Sequence, residues 1–459
     1  MHRSLFASLS IAALVMAGCD GDPPADADAG PVDAATGDAD TTDSGSDAGA
    51  PDNDSFETAT TIAIDAEESA ADEINPRMDV DYFRFDGTAG QWVAIFTSST
   101  MPDAGNRVDT VITLYDASMT QIAENDDALP RADVDSEVIL KLPATGTYYV
   151  RVQEFSTWAP EMVEDGPQGG PSYDYTLVVI TLDEENPRVR IDPETGDDAA
   201  SAVTAAVTGN VGFLLGDFDA PGDVDVFRFN TAGRATLPQS LFVAVMPTGP
   251  MGYGATGTIA RVWVTDDAGT TIFARGEVGP DAPEFQPTFL TAGPQLLWVE
   301  APAGAAGAND HYVIKLLFRG DNPPEGAADN DTLATAAMLR LNPIMDATGE
   351  NGFVLAQLAE GDVDYYGFDV MAGRTLSIAC GSRNSGSGVL DLTAELRDES
   401  DAVLAMDGET ATENAFIDAF AVPGAGRYYL RISSSGQDPE VTGAWVRCGV
   451  TAAPPAATP

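Results

Sequence analysis

Hydrophobic and polar residues alternate along most of the chain beyond residue 52, in short runs that Gly, Pro and Asp interrupt. Alternation over about four to eight positions, rich in Val, Ile and aromatic residues, is typical of β-strands with one buried face. Examples are Trp92 to Thr97, Leu241 to Met246 and Leu376 to Cys380. Beyond the N-terminal segment, helix-favouring composition is confined to short stretches such as Thr332 to Leu339. The pattern therefore predicts an all-β protein.

The predicted strands recur as an ordered set at a domain-sized spacing. An Asp-x-Asp-x-aromatic-x-Phe block followed by an Ala-Gly turn stands at Asp79 to Phe85, Asp223 to Phe229 and Asp362 to Phe368. Each repeat is long enough to enclose its own core, and short strands bounded by turns are typical of antiparallel sandwiches. The sequence therefore predicts three tandem antiparallel β-sandwich domains, at residues 52–182, 183–319 and 320–450, with a tail at 451–459.

A Tyr-Tyr strand follows later in two of the repeats. It stands at Gly146 to Val152 and at Gly426 to Ile432, and the middle copy, Gly293 to Val299, is degenerate. Because successive side chains of a strand point to opposite faces, we expect one tyrosine of each pair in the core and the other at the surface.

The first nineteen residues have the features of an export signal. Arg3 supplies a positive charge, Leu5 to Val15 form an apolar run too short to span a bilayer, and small residues precede Cys19. This arrangement resembles the lipobox of bacterial lipoproteins, which implies that Cys19 is lipidated and anchors the chain to a membrane. The predicted location is the outer membrane or the cell surface. The alternative is an ordinary cleaved signal.

Residues 20–51 contain no Lys, Arg or aromatic residue, and this composition predicts a disordered acidic linker. The whole chain has a formal net charge of -51, which excludes nucleic acid as a partner because like charges repel. The expected partners are cations, extracellular proteins or glycans.

Cys380 and Cys448 remain as an even pair if Cys19 carries a lipid. Both lie on predicted strands of the last repeat, and an exported chain meets an oxidising environment. We therefore predict one disulfide between them, with two buried free thiols as the alternative.

The ordered set of motifs resembles the bacterial pre-peptidase C-terminal domain, known as the PPC domain. The shared features in repeat one are Asn53-Asp54, the Asp79 to Phe85 block, the Asp109 to Asp116 strand and the Gly146 to Val152 strand. Repeat three matches nearly as well, and repeat two lacks the Asn-Asp opening. The resemblance implies a jelly-roll-like β-sandwich that accompanies secreted peptidases.

The resemblance also implies a calcium site where the Asn-Asp opening meets the Asp-x-Asp turn. The candidate ligands are Asn53, Asp54, Asp79 and Asp81 in repeat one, and Asn330, Asp331, Asp362 and Asp364 in repeat three. Ca²⁺ prefers such oxygen ligands. Two glutamates that precede the Asn-Asp pair in calcium-binding relatives are missing here. The alternative is that the aspartates only hydrogen-bond backbone amides of a turn.

No catalytic motif accompanies these features. His311 is the single His beyond the signal, and it lies on a predicted strand, so we assign no catalytic residue and expect no enzyme activity. The leading hypothesis is a non-catalytic cell-surface lipoprotein whose sandwiches bind or present to an extracellular protein or glycan. The alternatives are an accessory subunit of a separately encoded secreted peptidase and an unrecognised hydrolase that uses His311.

Overall fold

The computed structural model describes most of the chain beyond the predicted linker. It covers residues 53–454 except 67, 100–107, 127, 129–134, 164–165, 194–196, 209, 232–238, 247–248, 278–283, 286–287, 290–292, 304–309, 320–329, 344–348, 359–360, 382–385 and 409–413. The predicted signal, Cys19 and the predicted linker lie outside the described residues. In the part that is described, no helix is long and apolar enough to cross a bilayer.

Domain 1 is a sandwich of two sheets. Its first sheet has the strand order β1-β3-β8-β5-β6 and its second sheet the order β2-β9-β4-β7. The strands are β1 (Thr60–Thr61), β2 (Ala70–Glu73), β3 (Val80–Gly87), β4 (Trp92–Ser99), β5 (Thr110–Tyr115), β6 (Gln121–Asn125), β7 (Glu137–Lys141), β8 (Gly146–Glu154) and β9 (Asp174–Thr181). After β8 come a short helix, α1 (Phe155–Trp158), and a 3₁₀ turn (Pro160–Met162).

Domain 2 repeats this plan. Its first sheet has the order β11-β13-β19-β15-β16, its second sheet the order β10-β12-β20-β14-β17, and β18 also pairs with β14. The strands are β10 (Val189–Ile191), β11 (Val203–Thr204), β12 (Val211–Phe218), β13 (Val224–Asn230), β14 (Gln239–Val245), β15 (Arg261–Asp266), β16 (Ile272–Glu277), β17 (Glu284–Phe285), β18 (Thr288–Phe289), β19 (Pro294–Glu300) and β20 (Asp310–Arg319).

Domain 3 has the same two-sheet arrangement. Its first sheet has the order β21-β24-β29-β26-β27 and its second sheet the order β22-β23-β30-β25-β28. The strands are β21 (Ala337–Met338), β22 (Asn342–Pro343), β23 (Glu350–Gln357), β24 (Val363–Val370), β25 (Thr375–Cys380), β26 (Val389–Arg397), β27 (Val403–Gly408), β28 (Ala415–Ala421), β29 (Gly426–Gln437) and β30 (Trp445–Ala453). A 3₁₀ turn (Leu333–Thr335) precedes β21, where the sequence indicated a helical turn. The all-β fold and the tandem sandwiches are confirmed.

The first sheets show the alternation that the sequence predicts. On β3, Phe83 and Phe85 point into the core, whereas Arg84 points outward. Tyr148 on β8 is buried and stacks on Phe85, while its neighbour Tyr149 is only half-buried. The tyrosine pair is therefore divided between core and surface, as period-two geometry requires.

The second sheet of domain 1 departs from the predicted alternation. Trp92, Val93, Ala94 and Ile95 on β4 are all buried, so this strand has no solvent-exposed face there. The expectation of one exposed face was wrong for this strand, because the second sheet of domain 2 packs on its outer side.

We call this packing the 1–2 junction. It is a single apolar cluster shared by the outer faces of both second sheets. Its buried members are Trp92, Ala94, Ile139, Val178, Ile180 and Leu182 from domain 1, and Val189, Phe213, Leu215, Ala244, Met246, Tyr253, Val313 and Leu317 from domain 2. Sheet faces that pack in this way bury apolar surface as two layers of one core do.

The chain's only two lysines lie at the 1–2 junction, and each pairs with a carboxylate of the other domain. Lys315 Nζ of domain 2 donates to Glu137 Oε2 of domain 1 at 2.7 Å, and both side chains are buried. Lys141 of domain 1 pairs with Asp217 of domain 2. Two reciprocal ion pairs therefore fix the register of one sheet against the other.

The 2–3 junction is smaller and polar in the residues that are described. Arg275 on β16 donates to Asp438 Oδ2 at 2.8 Å and also pairs with Glu440 of domain 3. One backbone hydrogen bond, from Thr442 N to Ile272 O at 2.8 Å, runs beside them.

The last domain contains the chain's disulfide. Cys380 on β25 and Cys448 on β30 lie directly opposite each other and are joined with an S–S distance of 1.99 Å. Both are buried among the core residues of domain 3. The disulfide therefore ties two neighbouring strands of the second sheet together.

Candidate functional site

The opening Asn of domains 1 and 3 is held beside the Asp-x-Asp strand by an identical backbone hydrogen bond. Tyr82 N donates to Asn53 O, and Tyr365 N donates to Asn330 O, both at 2.8 Å. Asn53 and Asn330 are buried. The sequence-predicted opening and the Asp-x-Asp turn therefore meet at one end of each sandwich.

The first aspartate of each block stabilises the turn that leads into the strand. Asp79 Oδ1 accepts from Val80 N, Asp223 Oδ1 from Val224 N, and Asp362 Oδ1 from Val363 N, each at 2.9 Å. In domain 1 the other oxygen, Asp79 Oδ2, accepts from Asn75 N at 2.9 Å. These aspartates therefore hydrogen-bond backbone amides of the turn, and this does not decide between the calcium site and the turn-forming alternative.

The second aspartate of each block is buried, and its environment differs between the domains. Tyr175 Oη donates to Asp81 Oδ2 at 2.6 Å in domain 1, and Tyr312 Oη donates to Asp225 Oδ2 at 2.7 Å in domain 2. In domain 3 the equivalent position on the closing strand is Val446, as the pairing of Ile95 with Val179 and of Ile378 with Val450 shows.

In domain 3 the predicted ligands converge. Carboxylate oxygens of Asp331, Asp362 and Asp364 all lie within 4.8 Å of one another, the one such group of three acidic, His or Cys residues in the described part of the chain. Asn330 Nδ2 donates to Tyr365 O at 3.4 Å, while Asn330 Oδ1 is buried and has no hydrogen-bond partner among the described residues. Three carboxylates and one amide oxygen are a donor set that fits a hard cation such as Ca²⁺.

Domain 1 concentrates negative charge differently. Burial and the Asp72 carboxylate, in that order, raise the pKa of Asp81 to about 8, and the charges of Asp79 and Asp54 add to the effect. The hydrogen bond from Tyr175 acts in the opposite direction. At neutral pH the proton therefore favours the Asp81 carboxyl, which lowers the repulsion among the carboxylates.

Asp72 is a site residue that sequence reasoning missed. It lies on β2 opposite Tyr175, and its Oδ2 accepts from Asn53 Nδ2 at 3.1 Å. The equivalent positions of the other domains are Gly216, opposite Tyr312, and Ala356, opposite Val446. An acidic residue at a position that is small in the sister repeats was the available signal.

The remaining predicted residues lie elsewhere. His311 is on β20 at the 1–2 junction, where its ring lies edge-on to Trp92 at 5.3 Å between centroids. Its Nε2 accepts from Lys141 N at 3.4 Å, and its Nδ1 lies 3.2 Å from Thr256 Oγ1. Burial lowers the pKa of His311 to about 4, so the ring is neutral at pH 7. One ring nitrogen thus contacts domain 1 through Lys141, and the other contacts Thr256 within domain 2.

Two segments of the chain match the model of a known protein family. A family model described as the bacterial pre-peptidase C-terminal domain matches residues 79–154 of domain 1 and 362–434 of domain 3. These segments contain the Asp-x-Asp and Tyr-Tyr strands. The matched type of domain is non-catalytic.

The similar proteins either match only a small part of the chain or have low sequence identity to it. Over 91 residues the chain is 34% identical to a probable subtilase-type serine protease of Deinococcus radiodurans, which is 20% of this chain and 12% of that protein. The structure of Sulfolobus turreted icosahedral virus covers 84% of this chain and 85% of its own at 9% identity and a TM-score of 0.17. Tripeptidyl peptidase 2 covers 82% of this chain and 34% of its own at 12% identity and a TM-score of 0.18.

Proposed function

We propose that this chain is a non-catalytic surface protein whose sandwiches contact an extracellular protein or glycan, with domain 3 stiffened by bound Ca²⁺. The observation that carries the calcium proposal is the group of Asp331, Asp362 and Asp364 beside the buried Asn330 Oδ1. Separate segments of the chain supply these four side chains. A cation there would join the domain's opening segment to its first sheet.

Calcium suits this donor set for electrostatic reasons. Carboxylates whose oxygens lie within 4.8 Å repel one another, and a divalent cation converts that repulsion into attraction. Ca²⁺ also accepts amide oxygens and irregular geometry more readily than Mg²⁺ does. The Asn330 amide oxygen would then gain a partner that the described residues do not supply.

Domain 1 is the weaker site in this proposal. Tyr175 already donates to Asp81, and Asp79 uses both carboxylate oxygens for backbone amides. A proton on Asp81 neutralises part of the negative charge that would otherwise attract a cation. We therefore expect domain 3 to bind Ca²⁺ more tightly than domain 1.

Thermal unfolding of the full chain in millimolar Ca²⁺ and then in chelator tests the calcium proposal. A ligand at about a hundred times its dissociation constant stabilises the folded state by about 2.7 kcal/mol. Asp362→Asn with Asp364→Asn should abolish the calcium-dependent shift of the domain 3 transition. The matched control, Asp223→Asn with Asp225→Asn in domain 2, should leave that shift in place. A shift that survives the domain 3 substitutions would rule out this site.

The surface location rests on the N-terminal sequence. Cys19 after a short apolar run supports a lipid anchor, and residues 20–51 would then form an acidic tether. Metabolic labelling with a fatty acid should mark the wild-type chain and not Cys19→Ser. Binding of the immobilised chain to a matrix-protein and glycan array tests the adhesive role, and no binding to any spot would count against it.

A second candidate function is that of an accessory subunit of a secreted peptidase. The observation that favours it is the segment shared with a subtilase-type protease. Affinity capture from the native cells distinguishes the two proposals, because repeated recovery of one peptidase supports the subunit role. A hydrolase that uses His311 is disfavoured, since both nitrogens of that ring are engaged, one with Lys141 and the other with Thr256.

A further inference from the structure

Methionine dominates the exposed large hydrophobic side chains of this protein. Six such methionines have exposed fractions between 48% and 72%, and apart from them only Trp158 and Val403 belong to this class among the described residues. They are Met78, Met119, Met251, Met338, Met371 and Met406. The contrasting case is Met246, which is buried in the 1–2 junction.

Two of these methionines occupy backbone positions that disfavour them. Met78 has a φ of 72°, in the left-handed region, and the equivalent positions of the other domains are Gly222 and Gly361, with φ of 77° and 81°. Glycine adopts this conformation freely, whereas a residue with a Cβ is strained there. Neither burial nor backbone geometry therefore accounts for a methionine at position 78.

The same contrast appears at the turn between β5 and β6. Met119 has a φ of 64°, and its amide donates to Asp116 O at 2.9 Å. The equivalent turns of domains 2 and 3 place Gly269 and Asp401 there, with φ of 72° and 66°. Gly and Asp are residues that tolerate the left-handed region. What distinguishes Met119 from its counterparts is an exposed thioether.

Competing amines and thiols are scarce on the described surface of this protein. The two lysines of the chain are paired at the 1–2 junction, and Cys380 and Cys448 form a buried disulfide. An electrophilic oxidant that would otherwise consume amines and thiols therefore meets mainly thioethers on the described surface. Exposed thioethers are oxidised readily, and their conversion to sulfoxide is damaging chiefly where the side chain is packed.

We propose that the six exposed methionines are oxidant-accepting modification sites, which consume hypohalous acid while the protein stays folded. With hypochlorous acid, the sulfur lone pair attacks chlorine, the O–Cl bond breaks and hydroxide leaves. Water then forms the S–O bond as chloride leaves and two protons pass to solvent. The sulfur loses two electrons and the chlorine gains them, so each site consumes one oxidant molecule and becomes a sulfoxide.

Stepwise addition of hypochlorous acid to the purified full chain tests this proposal, with peptide mass spectrometry to locate the sulfoxides. The six exposed methionines should convert at least tenfold faster than Met246, and the thermal unfolding midpoint should not change as they convert. Conversion of Met246 in step with the others, or a midpoint that falls with each sulfoxide, would overturn the proposal.

A competition assay tests the scavenging role itself. A methionine-containing reporter peptide is mixed with the wild-type chain or with a variant in which all six sites are Leu, a residue of similar volume. The wild-type chain should protect the reporter several-fold better than the variant does. Equal protection would overturn the proposal. Met78→Gly with Met119→Gly keeps four sites and relieves two strained turns, so it should raise the unfolding midpoint and protect to an intermediate degree.

Discussion

The two junctions between neighbouring domains differ in chemistry although the domains share one plan. At the 1–2 junction, outer sheet faces bury Trp92, Ile180, Phe213 and other apolar side chains. At the 2–3 junction, Arg275 and two carboxylates of domain 3 make the ion pairs among the described residues. Burial of apolar surface is the dominant favourable term in association, whereas the 2–3 junction depends on a few polar contacts of one partly buried arginine. Domains 1 and 2 should therefore behave as one unit and domain 3 as another.

The difference arises at outward-facing positions of the second sheet. Trp92 and Ala94 on β4 correspond to Thr375 and Ser377 on β25, counted from the Ala-Gly turn that precedes each strand. The polar residues of domain 3 give its second sheet a face that water can solvate. The side chains at these alternate positions thus decide whether the second sheet of a sandwich packs on its neighbour.

Removal of the disulfide should produce the largest difference in stability between domain 3 and the other two domains. Cys380 and Cys448 are 68 residues apart, and a cross-link over such a loop stabilises a domain by about 4 to 5 kcal/mol. In calorimetry of the full chain, Cys380→Ala with Cys448→Ala should lower only the domain 3 transition. An equal fall in the transition of domains 1 and 2 would show that the three domains unfold together, and would contradict the comparison.

Removal of one partner of the buried ion pair should weaken the 1–2 junction by roughly 4 kcal/mol. Glu137→Ala leaves the Lys315 ammonium buried without its carboxylate. Chemical denaturation measures the resulting loss in the free energy of unfolding. Glu137→Leu with Lys315→Met should recover most of the loss, because an apolar pair carries no desolvation penalty. The control is Asp369→Ala in the exposed Arg427 pair of domain 3, which should leave the stability unchanged within the error of the measurement because solvent screens this pair.

Much of the fold could be predicted from the sequence because the relevant signals are local. The Asp-x-Asp block, the Ala-Gly turn and the Tyr-Tyr strand each specify a turn or a strand, and three copies specify the order of elements. The 1–2 junction was harder to predict. The pattern over Trp92 to Ile95 predicts a strand with one buried face, and nothing in the run says that a neighbouring domain covers its other face.

The candidate site was predictable only in part for a related reason. Asn330, Asp331, Asp362 and Asp364 belong to recognisable motifs, and the structure brings them together. Asp72 lies on a strand with no motif, and its place beside Asn53 depends on strand pairing across domain 1. The choice between Tyr and Val on the closing strands likewise acts through a residue distant in sequence. Pairing between distant strands is not encoded in a local pattern.

Truncation of one aromatic side chain should distinguish the two kinds of sheet face. Phe213 on β12 and Phe353 on β23 are equivalent positions, opposite Lys315 and Gly449. Phe213→Ala removes a buried ring from the 1–2 junction and should cost about 3 kcal/mol by chemical denaturation. Phe353 is half-buried beneath the Arg447 guanidinium, so Phe353→Ala should cost about 1 kcal/mol. Equal losses would mean that the two faces are equally solvated and would break the comparison.

The 1–2 junction should also be the acid-sensitive part of the molecule. Burial lowers the pKa of His311 from 6.5 to about 4. The charge of Lys141 also lowers this pKa, whereas the charges of Asp217 and Asp310 raise it. His311 therefore binds a proton below about pH 6.5 in the unfolded chain, but only below about pH 4 in the folded chain. Stability falls as the pH falls through this window, because the unfolded chain binds more protons there. From this group alone the unit of domains 1 and 2 should lose about 2 kcal/mol between pH 7 and pH 5. His311→Gln removes the titrating ring, so the difference between variant and wild type isolates its contribution from those of the many carboxylates. If the two proteins lose stability in parallel over this range, His311 is not what makes the junction sensitive to acid.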